Sequence, residues 1–113
     1  MEHPSLPRVV LVTAPDEVVA ERLASSFVSL GLAACVNRVS GVMSTYRWEG
    51  EVNEDAEVLL IIKTTAERLP ELEAALNSLH PSETPEFVAL EPGHISAPYL
   101  QWLQASVSKG EGG

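Results

Sequence analysis

Val58-Leu59-Leu60-Ile61-Ile62 carries an apolar side chain at every position. In an extended strand successive side chains point to opposite faces of a sheet, so this run asks for apolar cover on both faces. With its flanks the strand reads as Ala56 to Thr64. It makes two demands on the fold: helices over one face, and some other apolar surface over the second.

Upstream, Ala33 to about Trp48 again favours strand, with a bulge or bend expected at Ser40-Gly41 and a hairpin turn at Trp48-Glu49-Gly50-Glu51. Further back, Arg8-Val9-Val10-Leu11-Val12-Thr13-Ala14 is a β-branched run stopped by Pro15. Asp16 then stands where an N-cap belongs, and Val19, Leu23, Phe27 and Leu30 recur at helical spacing until Gly31. Downstream, Thr65 can cap a second helix with Pro70 near its first turn and Leu69, Leu72, Leu76 and Leu79 as its stripe, ended by His80-Pro81. Glu86 to Leu90 reads as the last strand, and Ser96 as the cap of a short helix bearing Leu100, Leu103 and Val107.

The order strand, helix, strand, strand, helix, strand is the split β-α-β pattern of a ferredoxin-like α+β domain, an α/β plait, with a C-terminal helix added. Two helices cover only one face of such a sheet. Leu59 and Ile61, on the other face, are therefore expected to meet a second subunit, where burial is worth about 25 cal/mol per Å².

At 113 residues and 45% apolar content the chain can bury one core. One domain is expected over residues 8–107, with disordered tails at 1–7 and 108–113, which lack apolar periodicity. No stretch approaches the apolar length of a membrane-spanning helix, and Met1 to Pro7 has neither a cationic start nor an apolar core for export. A single cysteine excludes an intramolecular disulfide, so a cytoplasmic setting is expected. Seven Lys and Arg against 16 Asp and Glu give a formal charge of −9, which repels nucleic acid and anionic membranes and attracts cations. The same charge also serves as a solvated, solubilising surface.

No GxxxxGK[ST], GxSxG, CxxC or HExxH pattern occurs, and no catalytic role is expected. The groups available for chemistry are one thiol, three imidazoles and scattered carboxylates. Cys35, among small residues in a strand, reads either as a small core hydrophobe or as a soft ligand for copper. His80 stands at a helix end, where an imidazole can satisfy terminal carbonyls; equally, Pro81 and Pro85 restrict a short segment that joins it to Glu83 and Glu86, a way to preset metal ligands. His3 and His94 read as exposed. Tyr46, Arg47 and Trp48, near the hairpin tip, read as cross-strand packing residues or as anchors in a neighbouring subunit.

Thr13-Ala14-Pro15-Asp16, Leu32-Ala33-Ala34-Cys35-Val36-Asn37, Tyr46-Arg47-Trp48-Glu49-Gly50, Lys63-Thr64 and the run His80-Pro81-x-Glu83-x-Pro85-Glu86, with Tyr99-Leu100-x-Trp102 near the end, together resemble the CutA divalent-cation tolerance family. The resemblance spans roughly residues 8–107. It implies a ferredoxin-like fold assembled as a homotrimer, with sheets facing the centre and long hairpins reaching across neighbours, so that Tyr46, Trp48, Leu59 and Ile61 fall at the interface. It also implies a response to metal ions, with copper bound in some members through a Cys and a His that match Cys35 and His80. Ser82 stands where the family usually has Tyr, and Ser40 where it usually has Pro.

The expectation is thus a trimer that binds Cu(II) or another divalent cation weakly through His80, Glu83 or Glu86 and Cys35, without turnover and without an organic cofactor. The alternative is a PII-like signalling trimer holding a small anionic effector or a partner protein at an inter-subunit cleft, for which Arg38, Arg47, Lys63 and Arg68 are the available cations. A Cys35–His80 catalytic dyad is disfavoured, since no orienting third group can be named.

Overall fold

A computed structural model describes residues 5–109. Along the chain lie β1 (Pro7–Ala14), α1 (Glu17–Ser29), β2 (Cys35–Trp48), β3 (Glu51–Thr65), a 3₁₀ turn (Ala66–Arg68) running into α2 (Leu69–Leu79), β4 (Val88–Leu90) and α3 (Ala97–Val107). The strands form one four-stranded sheet in the order β2-β3-β1-β4, and every pairing is antiparallel. The crossover through α1 leaves a gap between β1 and β2, and the β3 hairpin returns into it.

Alternation along the two central strands separates the faces. Val10, Val12 and Ala14 of β1 and Val58, Leu60 and Ile62 of β3 are buried in one cluster with Ala20, Leu23 and Phe27 of α1 and Leu72 and Leu76 of α2. On the opposite face, Leu11 and Ile61 lie side by side in register and stay half-buried, as does Leu59, while Val39, Val88 and Leu90 beside them are exposed. The two-sided apolar run thus has one face fully covered by α1 and α2 and one only partly covered within the chain. α3 packs outside the main cluster against β3 and β1, burying Leu103 and Val107.

Local signals explain the ends of α1. Asp16 Oδ1 accepts the Val19 N–H at 2.9 Å, supplying one of the hydrogen bonds the first turn lacks. Beyond the last turn Gly31 takes φ +72°, and the N–H groups of Leu32 and Ala33 both return to the Phe27 carbonyl. α2 differs from expectation at its start: Thr65 precedes the 3₁₀ turn and makes no side-chain cap, so the α-helical part begins at Leu69 with Pro70 in its first turn. Thr64 is the more consequential hydroxyl, fully buried and donating to the Leu32 carbonyl at 2.7 Å.

The bulge and hairpin fall where expected. Register shifts between Val39 and Val42, with Gly41 at φ +77°, and the turn residues Glu49 and Gly50 both take positive φ, as the tightest hairpin turn requires. β3 begins at Glu51, well before Ala56, because Glu51 to Asp55 are held by pairing with β2 and not by burial. The paired arm extends past the helices and makes the molecule elongated, 47 × 27 × 26 Å. β4 is shorter than expected, Val88–Leu90.

Of the expected tails, residues 1–4 and 110–113 lie outside the described residues. Pro7 opens β1, the Ser5 carbonyl accepts from Gln104 at 3.1 Å, and Lys109 pairs with Glu71 at 3.0 Å. No helix among the described residues is long and apolar enough to cross a membrane.

Candidate functional site

Past the bulge, β2 carries Ser44, Tyr46 and Trp48 at alternate positions, hence on one side of the arm. Glu57 of β3, directly across from Val42, points to the same side. Facing them is the segment from α2 to β4. Pro81 holds His80 in an extended conformation (φ −81°, ψ 137°) and so ends the helix, while the His80 N–H completes it by donating to the Leu76 carbonyl at 2.8 Å. The loop then runs beside β1 at Thr13, a part of the strand that β4, paired only with Val9 to Leu11, leaves uncovered.

The imidazole of His80 fastens the loop there. Its Nε2 lies 2.9 Å from the Thr13 carbonyl, which can only accept, and the Ser82 N–H donates to Nδ1 at 3.0 Å. These partners specify the neutral ring with its proton on Nε2, so both nitrogens are engaged. Between arm and loop lies a groove of about 850 Å³ lined by Glu57, Glu83 and Glu86, with Tyr46 and Trp48 from the arm and His80 at its base. The Tyr46 hydroxyl donates to the Asp55 carboxylate, and this bond is the main reason its pKa is raised. None of Arg38, Arg47, Lys63 and Arg68 lines the groove, which argues against an anionic effector there.

Partial burial first, and the Glu57 charge second, push the Glu86 carboxyl above the ordinary carboxylate range. A carboxyl whose folded pKa is raised favours the folded state below its unfolded pKa, and that contribution is lost as pH rises through the folded value. Glu86→Gln should therefore raise the melting temperature slightly at pH 7, by roughly 1–3 °C, and leave it unchanged near pH 4. Thermal denaturation at the two pH values checks this; an equal gain at both would point to a cause other than ionisation.

The structure brings His80, Glu83 and Glu86 to one groove and places Cys35 elsewhere. Cys35 is half-buried at the start of β2, opposite Lys63, which in turn faces Val9. Thr13, which holds His80, is four residues farther along β1, about 13 Å at the rise of a strand. Within one chain the thiol and the imidazole therefore cannot ligate one ion, since metal–ligand bonds are about 2.0–2.3 Å, nor form a catalytic pair. The nearer group is Tyr99, whose pKa is raised by burial and then by Cys35. Among the described residues no three His, Cys, Asp or Glu side chains form a ready ligand cluster. His94 is exposed, and His3 lies outside the described residues. Glu57 escapes the sequence reading because it stands at the head of an apolar run and meets Glu86 only through the fold.

A mixed α+β chain, with a four-stranded antiparallel sheet, three helices and a long two-stranded arm, is the architecture shared with solved CutA structures. The chain belongs to the CutA1 divalent ion tolerance protein family, whose model matches residues 8–106. It is 49% identical over 96 residues to the divalent-cation tolerance protein CutA of Thermus thermophilus, covering 85% of this chain and 93% of that protein. Identity to the Escherichia coli protein of the same name is 43% over 99 residues, 88% of each chain. The crystal structure of CutA1 from Oryza sativa superposes with a TM-score of 0.89 at 42% identity, covering 96% of this chain and all (100%) of that one.

Proposed function

We propose that the protein serves the response to divalent cations as a ferredoxin-like homotrimer in the cytoplasm, binding Cu(II) or another divalent ion weakly and catalysing no reaction. The observation that carries this reading is the Glu57–Glu86 pair: two like charges share the groove, one of them with a raised pKa. A dication there relieves the repulsion. Glu83 adds charge on the loop side. His80 does not fit as a ready ligand, because a metal would have to take a nitrogen already bonded to Thr13 or Ser82. With two or three carboxylates and no ready cluster, the ion keeps much of its hydration and the affinity is low.

The trimer reading rests on the open sheet face, where Leu59, Ile61 and their exposed neighbours await cover, and on the arm with Tyr46 and Trp48 exposed beyond the helices. A free half-buried thiol suits a reducing compartment.

Calorimetric titration with Cu(II) and Zn(II), with assembly mass measured alongside, tests the reading. Saturable binding at fixed stoichiometry is expected, weakened about tenfold or more in Glu86→Gln, the loss of one charged partner, and unaffected in Cys35→Ser. His80→Ala should loosen the loop and lower affinity less than Glu86→Gln does. No binding tighter than millimolar, or loss only with Cys35→Ser, would overturn the groove as the metal site.

A further inference from the structure

The two-stranded arm is held to the rest of the chain by little beyond its own strands. None of residues 42–57 is buried. Among the described residues, their side-chain hydrogen bonds stay within the arm: Thr45 to Glu54, Tyr46 to Asp55, and Asn53 to the Glu51 carbonyl. Core packing therefore does not fix the direction of the arm. The backbone at the point where it leaves the sheet must do so.

That point is the bulge. Val39 pairs with Leu59 and Val42 with Glu57, so Ser40 and Gly41 together stand opposite the single residue Val58. An extra residue on one strand bends that strand and increases its twist. Gly41 accepts the bend at φ +77°, a conformation that side chains with a Cβ resist. An added Cβ would meet no atom of the chain within 4 Å, so this glycine serves its backbone conformation and not a close approach. On the body side, β2 is tied to one helix just before the bend. Glu17 and Glu21, one turn apart on α1, accept from the Ser40 hydroxyl and lie 3.8 Å from the Arg38 guanidinium. α1 is itself anchored in the core by Ala20, Leu23 and Phe27. We propose that the bulge, steadied on α1, aims the arm at the neighbouring subunit, an inference that rests on the trimer proposed above. Cross-strand pairing then decides which side chains the arm carries, and the bulge decides where they are delivered.

Deletion of Gly41 tests this, because it leaves Ser40 alone opposite Val58 and lets every other pair of β2 and β3 stand. The arm keeps its composition and loses its bend. Sedimentation equilibrium should show the deletion variant half-dissociated at a concentration about a hundredfold above that of the wild type, with the far-UV circular dichroism retained. Assembly as tight as that of the wild type would overturn the proposal and leave the trimer standing. A wild type that sediments as single chains would sink the trimer reading, and the aiming role with it. If the deletion variant loses its secondary structure, Gly41→Asn and Gly41→Ala decide. Both are small, but Asn tolerates φ above zero far better than Ala does. Gly41→Asn should assemble like the wild type and Gly41→Ala about fivefold more weakly, since assembly demands a strained bend that the free chain can relax. Equal assembly by these two variants would overturn the proposal.

Discussion

Leu60→Ala should lower stability by about 3 kcal/mol, within the usual range for a buried leucine, and the melting temperature by roughly 15 °C. Leu60 is fully buried on the helix-covered face of β3, in one cluster with Leu23, Phe27, Leu72 and Leu76. Truncation removes both the transfer free energy of the side chain and its packing contacts, and helices on one side with a sheet on the other leave little room to collapse into the cavity. A domain of this size has only about 5–15 kcal/mol in all, so the loss is a large share. Its neighbour Leu59 is only half-buried on the opposite face. Leu59→Ala should cost far less within one chain, and in the assembly proposed above whatever it costs should shrink as dilution separates the subunits, because it would act on association. Denaturant unfolding of both variants at two protein concentrations separates the cases. Equal, concentration-independent losses would show that the two faces do not differ as proposed.

Replacing Ile61 with Asp should convert the assembly to single chains while leaving each chain folded. Ile61 is flanked in register by Leu11 and Asn37, with Val88 one strand farther, on the face that no helix of the main core covers. In a subunit interface the new carboxylate would be buried without a partner, a cost of several kcal/mol. In a separated chain it faces water and costs little. Sedimentation equilibrium should show the mass drop to one subunit with the far-UV circular dichroism retained. An assembly that persists at full mass would refute the sheet-face trimer, and loss of secondary structure would show that the face belongs to the core of the single chain.

The elements that the sequence made legible are those whose cause is local. α1 is announced by Asp16, by a stripe at helical spacing and by Gly31, and each is used as expected: a cap bond, a buried face and a positive φ. The bulge at Ser40-Gly41 and the turn at Glu49-Gly50 are legible for the same reason, since each depends on backbone conformations that its own residues favour. The first residues of β3 were not legible. Glu51 to Asp55, Val52 apart, are polar, the segment is mostly exposed, and only pairing with β2 holds it extended. Thr65 misleads in the other direction, because a hydroxyl that could cap a helix is buried ahead of a 3₁₀ turn.

The candidate site divides the same way. Pro81 and Pro85 marked the loop of His80, Glu83 and Glu86 as conformationally restricted, and the structure keeps these residues together because they are close in the chain. That Cys35 stands far along the sheet, that Glu57 opposes Glu86, and that His80 spends both nitrogens on Thr13 and Ser82 depended on strand register. By itself the sequence determined where helices and turns form and that β3 must be covered on both faces, because periodicity and backbone preference act over a few residues. Tertiary structure alone decided which charges, rings and carbonyls meet, because a shift of one residue in register turns every side chain of a strand to the other face.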